Sequence, residues 1–171
     1  ADHNARKSRH SADGARKAAV LRSMGVDPQV NGVSNIVDPL GLKLFLAYAA
    51  KWRMRLLKAD IGDAYAKAQR KRARGYMRMC KTVQEYDDDG MEMLYELLTP
   101  LWGEQEAGFE WDDELHQTLT HLGWMQVPGI PALYVNDCNG TQARLIKIVD
   151  DLLIAESGDD LVTAQATVTA L

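Results

Sequence analysis

The sequence predicts an α+β fold, an antiparallel sheet with helices packed on one face. Two observations predict it. The elements run in the order strand and loop, helix, strand, helix, strands, helix and strand pair, with turn residues at Asp87-Asp88-Asp89-Gly90 and Asn139-Gly140. Such mixed runs with hairpins are the pattern of a sheet covered by helices. The length, 171 residues, suits one domain or one and part of another.

Residues 1–37 are polar and basic, punctuated by Gly14, Gly25, Pro28 and Gly32. A short strand at 7–11 and one helix over 15–24 are expected there among loops. Asp38-Pro39 is a helix start, an acidic N-cap followed by proline at the first helical position. Leu42, Phe45, Ala49 and Trp52 then recur on one face, and the helix is expected to end near Trp52. Residues 54–61 read as a strand running to Asp60. The stretch 64–74 is helical in composition and basic through Lys67, Arg70, Lys71, Arg72 and Arg74. Such a helix is either solvated or laid along a phosphate backbone.

Strands are expected at 76–82 and 91–98 around the acidic turn at 87–90. A calcium loop is excluded there, because the later oxygen ligands are missing. Trp111, Leu115, Leu119 and Leu122 form the apolar stripe of a helix that Gly123 ends. Asp112, Asp113 and Glu114 lie on its early polar face, where the helix dipole favours acids. A strand at 132–135, a turn at 136–140 and a long apolar strand pattern over 144–154 follow, the last interrupted by Asp150-Asp151. Ser157 is expected to cap a final helix running toward Leu171.

The net charge of −4 argues against a polyanionic partner, but its distribution does not. Lys and Arg outnumber Asp and Glu by 18 to 6 in residues 1–81, a surplus of +12, and are outnumbered 2 to 18 in residues 82–171, a deficit of −16. Such asymmetry fits polyanion contact on one side, and equally two differently charged solvated faces. No run of 18 apolar residues exists, so no membrane span is expected. The basic N-terminus has no apolar run behind it and is not a signal peptide. Cys80 and Cys138 form neither a disulfide framework nor a CxxC, which favours a reducing compartment. They are also too isolated to make zinc ligands with His116 and His121, and no P-loop or supported Ser–His–Asp set is present. The chain opens at Ala1 without Met and stops mid-pattern at Leu171, which reads as a fragment.

Two adjacent carboxylates inside an apolar run, Ile148-Val149-Asp150-Asp151-Leu152, need a reason, since burying unpaired charge costs several kcal/mol. A solvated hairpin turn is one reason, and it is compatible with a second, a metal site. If the strand ending at Asp60 neighbours this hairpin, Asp60 and Asp150 converge at one sheet edge with Asp151 beside them. Crowded carboxylates repel unless a divalent cation neutralises them. An oxygen-only donor set selects Mg²⁺ or Mn²⁺. Two such ions about 3.5–4 Å apart form the clamp of in-line displacement at phosphorus.

Here a resemblance becomes specific. Asp60-Ile61-Gly62-Asp63-Ala64-Tyr65 resembles the first catalytic motif of reverse transcriptases, and Ile148-Val149-Asp150-Asp151 their Tyr-Val-Asp-Asp hairpin. Leu101-Trp102-Gly103 with Ala107 and Trp111 is similar to the Leu-Tyr-Gly-Leu-Lys-Gln-Ala-Pro-x-x-Trp segment of copia-type retrotransposon polymerases. Lys7-Ser8-Arg9 resembles that family's Lys-Ala-Arg entry strand, and residues 36–50 its Leu- and Ala-rich helix. Leu122-Gly123-Trp124 together with Pro131-Ala132-Leu133-Tyr134-Val135 resembles its single Leu-Gly-Phe…Asp-Pro-Ser-Leu-Phe segment. The resemblance runs from about residue 6 to residue 160, with six motifs in order.

The resemblance implies a right-hand polymerase core: a fingers-like region at 1–52, a palm at 53–160 with an interleaved fingers segment at about 66–100, and the start of a truncated C-terminal element at 161–171. It implies an RNA-directed DNA polymerase that adds deoxynucleotides to a primer 3′ end on an RNA or DNA template. Asp60 and Asp150 would hold two Mg²⁺ or Mn²⁺ ions, supported by Asp151 and by the Ile61 backbone carbonyl. Tyr65 would gate the sugar, Gly103 would allow close backbone approach, and Lys7 and Arg9 would contact the triphosphate. Lys67, Arg70, Lys71, Arg72 and Arg74 would face nucleic acid. The thumb and RNase H regions of such a polyprotein lie outside this chain, and an intracellular setting, a cytoplasmic particle or the nucleus, is implied. The chain departs from the pattern at Ile148, where the family has Tyr, and at Gln105, Glu106, Gly108 and Phe109, where it has Lys, Gln, Pro and Arg. Those departures set up the alternative, a decayed or repurposed palm remnant acting as a structural or nucleic-acid-binding module.

Overall fold

Helix α1 (Pro39–Lys51) starts where Asp38 accepts a hydrogen bond from the Leu40 N–H at 2.8 Å and Pro39 occupies the first turn. It ends at Trp52. The computed structural model describes residues 23, 37–71, 74–104, 106–138, 140–158 and 160–171. The strand expected at 7–11 lies outside the described residues, as do Lys7, Arg9 and Arg72, and so does the helix expected at 15–24 but for Ser23, which is helical.

Strand β1 (Arg55–Asp60) follows, then the one-turn helix α2 (Ala64–Lys67) and two short strands, β2 (Gly75–Arg78) and β3 (Leu94–Leu97). Helix α3 (Ala107–His121) leads into a meander of β4 (Met125–Val127), β5 (Ile130–Cys138), β6 (Thr141–Ile148) and β7 (Asp151–Glu156), closed by helix α4 (Val162–Ala170). The main sheet has the order β1-β7-β6-β5-β4 and is antiparallel throughout. Strands β2 and β3 form a separate two-stranded sheet within the 66–100 segment. The turn between them closes as Asp87 Oδ1 accepts from the Asp89 and Met91 N–H groups at 3.1 and 2.8 Å.

Adjacent residues of a strand face opposite sides of the sheet. On one side Leu145, Leu152 and Ile154 pack with Trp111, Leu115, Leu119, Trp124 and Ala164, from α3, the residues after it and α4. On the other, Ile146 and Ala155 pack with Phe45, Ala49 and Met54, so α1 covers that face. Helices therefore lie on both faces of the sheet, which corrects the expectation of one. The apolar runs Leu145-Ile146 and Leu152-Leu153-Ile154-Ala155 are the mark of strands buried on both faces. On α1 the buried stripe is Gly41, Phe45 and Ala49, and Trp52 is left exposed at its end.

Three local expectations change. The helix expected over 64–74 stops at Lys67, because Ala68 is extended (ψ 145°) and the Arg70 N–H pairs with the Leu98 carbonyl at 3.3 Å. Contacts distant in sequence override helix propensity there. Strand β4 went unread because it has only three residues. Ser157 does not cap α4: its Oγ accepts from the Gln142 N–H at 2.8 Å. Glu156, 2% exposed, does the capping, accepting from the Thr163 and Ala164 N–H groups at 3.0 and 2.8 Å. A buried carboxylate satisfied by a helix N-terminus is stable where an unpaired one is not. Among the described residues no helix is long and apolar enough to cross a membrane.

Candidate functional site

The pairing of β1 with β7 sets Asp60 directly opposite Asp151. Directly opposed residues of an antiparallel pair share a face, so these two carboxylates leave the same side of the sheet. Ile148 also stands opposite Asp151, across the β6–β7 hairpin, whose two-residue turn is Val149-Asp150. The Ile61 N–H donates to the Asp150 carbonyl at 2.9 Å. Asp60, Ile61, Asp150 and Asp151 thus meet at one end of β1, β6 and β7.

The turn is strained. Val149 has φ 59°, a left-handed conformation that a β-branched side chain disfavours, at a cost of about 1–3 kcal/mol. Two bonds hold its peptides. Trp111, 3% exposed on α3, donates its indole N–H to the Val149 carbonyl at 2.8 Å, and Ile61 binds the next carbonyl. One residue along α3 from Trp111, Asp112 accepts from Lys147 Nζ at 2.5 Å. Lys147 is only 1% exposed and lies on β6 two residues before Val149. Its ammonium also lies 5.6 Å from the centre of the Tyr134 ring. Neither Trp111 nor the Asp112–Lys147 pair was readable as part of this site. Trp111 carries an ordinary helix stripe, and a lysine in a strand run gives no sign of its partner.

Tyr65 packs edge-on against Trp102, with ring centres 4.5 Å apart. Burial raises its phenol pKa first, and the Asp150 carboxylate raises it further. Tyr65 and Asp150 are therefore electrostatic neighbours. Gly103, next to Trp102, has φ 88°, a conformation that glycine adopts without strain. A pocket of about 110 Å³ lies beside Asp60, bounded by Ile61, Gly62, Lys67 and Leu171. That is smaller than the roughly 300–1,000 Å³ of typical ligand pockets.

Of the basic residues expected to face nucleic acid, the described ones, Lys67, Arg70, Lys71 and Arg74, have partners within the chain. Lys67 Nζ donates to the Leu171 carbonyl at 2.7 Å. Arg70 forms a buried ion pair with Glu104. Lys71 reaches Asp113 and Glu114 at 2.9 and 3.2 Å, and Arg74 reaches Glu96 at 3.6 Å. Arg78 reaches Glu92 at 2.8 Å and Lys58 reaches Asp151 at 3.0 Å. The Lys71 bond holds the Asp113 carboxyl below its ordinary pKa. Each of these ion pairs joins the basic part of the sequence to the acidic part, so much of the charge asymmetry is met internally.

The donor set Asp60, Asp150 and Asp151 is oxygen-only and fits Mg²⁺ or Mn²⁺ in chemistry. In placement it fits less fully. Among the described residues no three His, Cys, Asp or Glu side chains converge as a metal-holding group, and Asp151 is engaged by Lys58. Compared with known proteins, the chain matches no protein-family model, no curated protein and no solved structure.

Proposed function

We propose that the chain is the fingers–palm part of a reverse transcriptase similar to those of copia-type retrotransposons, acting inside the cell on an RNA or DNA template-primer and deoxynucleoside triphosphates. The observation that carries the reading is the register of β1 on β7. It sets Asp60 opposite Asp151, with Asp150 in the adjoining turn and bonded through its carbonyl to Ile61. These carboxylates belong to the motifs by which the sequence resembles that family.

Two Mg²⁺ or Mn²⁺ ions at Asp60 and Asp150 would activate the attacking oxygen and stabilise the leaving one. Asp151 would add negative charge to that site once released from Lys58. The Ile61 backbone would stay close to Asp150 through its own N–H bond. Tyr65, edge-on against Trp102 and an electrostatic neighbour of Asp150, would meet the sugar of an incoming nucleotide and exclude a 2′-hydroxyl.

One observation favours a second reading, a decayed or repurposed palm remnant, in its structural rather than its nucleic-acid-binding form. Arg70, Lys71 and Arg74 are bound to the chain's own acids. Primer extension separates the two. On poly(rA)/oligo(dT) with Mg²⁺ or Mn²⁺, the chain joined to a thumb domain extends the primer, and Asp150→Asn abolishes extension. Absence of extension by that longer protein would leave only the remnant reading.

A further inference from the structure

We propose that Trp111 is a positioning residue for the carboxylate hairpin: its indole N–H holds the Val149 peptide in a left-handed conformation and so sets where Asp150 stands. The inference rests on the two-metal reading of Asp60 and Asp150 for its consequence, but on the geometry alone for its cause.

The Val149-Asp150 turn has no local reason for its shape. Neither residue is a glycine, and Val149 at φ 59° is a residue type that avoids this region. A strained backbone persists only where its surroundings over-determine it. Here the two carbonyls of the turn are held by donors from two different elements. The Val149 oxygen takes the Trp111 indole N–H at 2.8 Å, and the Asp150 oxygen takes the Ile61 N–H at 2.9 Å. The peptide between them carries Asp150. Trp111 is in turn fixed, because α3 is locked to β6 by the Asp112–Lys147 pair, one residue along α3 from Trp111 and two residues before Val149 on β6. The Trp111 indole N–H donates to a backbone carbonyl of the turn rather than to a carboxylate. It acts through the turn, as the outer partners of metal ligands do when they orient them.

A second buried tryptophan supplies the control. Trp124 is 1% exposed and donates its indole N–H to Thr167 Oγ1 at 2.9 Å, so its bond joins the core to α4 rather than to the hairpin turn. Trp111→Phe and Trp124→Phe each delete one buried indole donor and keep an aromatic ring, so a purely structural loss moves both alike. The readouts are hydrogen exchange at the Ile61 amide and Mn²⁺ affinity.

Trp111→Phe is expected to speed Ile61 exchange about tenfold and to weaken Mn²⁺ binding about tenfold. Adding Val149→Gly, which lets the turn keep its shape without a tether, is expected to return Ile61 protection toward that of the parent. Trp124→Phe is expected to change neither readout. Unchanged Ile61 exchange in Trp111→Phe, or an equal change in Trp124→Phe, would overturn the inference. If the parent chain binds no Mn²⁺, the two-metal reading falls. Ile61 exchange then decides the positioning role alone: acceleration specific to Trp111→Phe upholds it, and none overturns it.

Discussion

Two short turns close the β5–β6–β7 meander, and they solve the same problem in opposite ways. Between Cys138 and Thr141 the sequence is Asn139-Gly140, and Gly140 takes φ 81° with open space around it. Between Ile148 and Asp151 the sequence is Val149-Asp150, and valine takes φ 59°. The first turn carries an Asn-Gly pair, the residue types that local hairpin chemistry favours. The second contradicts local chemistry and is held by Trp111 and Ile61, each bond contributing about 1 kcal/mol against strain of about 1–3 kcal/mol. Among the described residues Val149 is one of four non-glycine residues with positive φ, beside Arg53, Asp63 and Leu161, and it is the one in the turn that carries Asp150.

The largest effect comes from undermining the tethered turn. Asp112→Ala strands the Lys147 ammonium in the core, and urea unfolding is expected to show a loss of about 3–5 kcal/mol. Asp112→Leu combined with Lys147→Met is expected to recover most of it, since an apolar pair carries no desolvation cost. A loss below about 1 kcal/mol for Asp112→Ala would mean the pair does not secure β6.

Exchanging the residue types of the two turns comes next. Gly140→Val forces a β-branched residue into a left-handed conformation and is expected to cost about 1–3 kcal/mol in the same assay. Val149→Gly relieves strain while adding chain entropy, so its net change is expected to stay within about 1 kcal/mol. Equal losses at both positions would erase the distinction between the turns.

The smallest effect is a change with pH beneath the tethered turn. Tyr134 is pushed up to about 12, first by burial and then by the Asp112 carboxylate, with the Gln126 amide pulling the other way. The folded chain therefore holds this proton after the unfolded chain has lost it. The stabilisation is present below pH 10.0 and is lost as pH rises toward about 12. Absorbance titration should show a late-ionising tyrosine that Tyr134→Phe removes and that ionises earlier in Asp112→Ala.

Much of the frame was legible because local signals and tertiary outcome agree. Asp38-Pro39 starts α1, Gly123 follows α3, and the break at Asp150-Asp151 is a turn. The β1 strand ends at Asp60, and its pairing with β7 meets the condition on which Asp60 was expected to neighbour the carboxylate hairpin. What was hidden depends on partners far away in sequence. The basic run after Lys67 does not continue the helix, because Arg70 and Lys71 are drawn to Glu104, Asp113 and Glu114. Glu156 caps α4 from inside the core, where composition offers no hint of it. Trp111 and Lys147 read as stripe and strand residues, and only the packing of α3 on β6 reveals their bonds.

The central claim is that the end of β1 and the β6–β7 turn together form a divalent-cation site. Electron paramagnetic resonance of the chain titrated with Mn²⁺ tests it most directly. Bound Mn²⁺ that is lost in both Asp60→Asn and Asp150→Asn, and kept in Asp63→Asn, is the predicted result. An absence of binding, or binding that survives both substitutions, would contradict it.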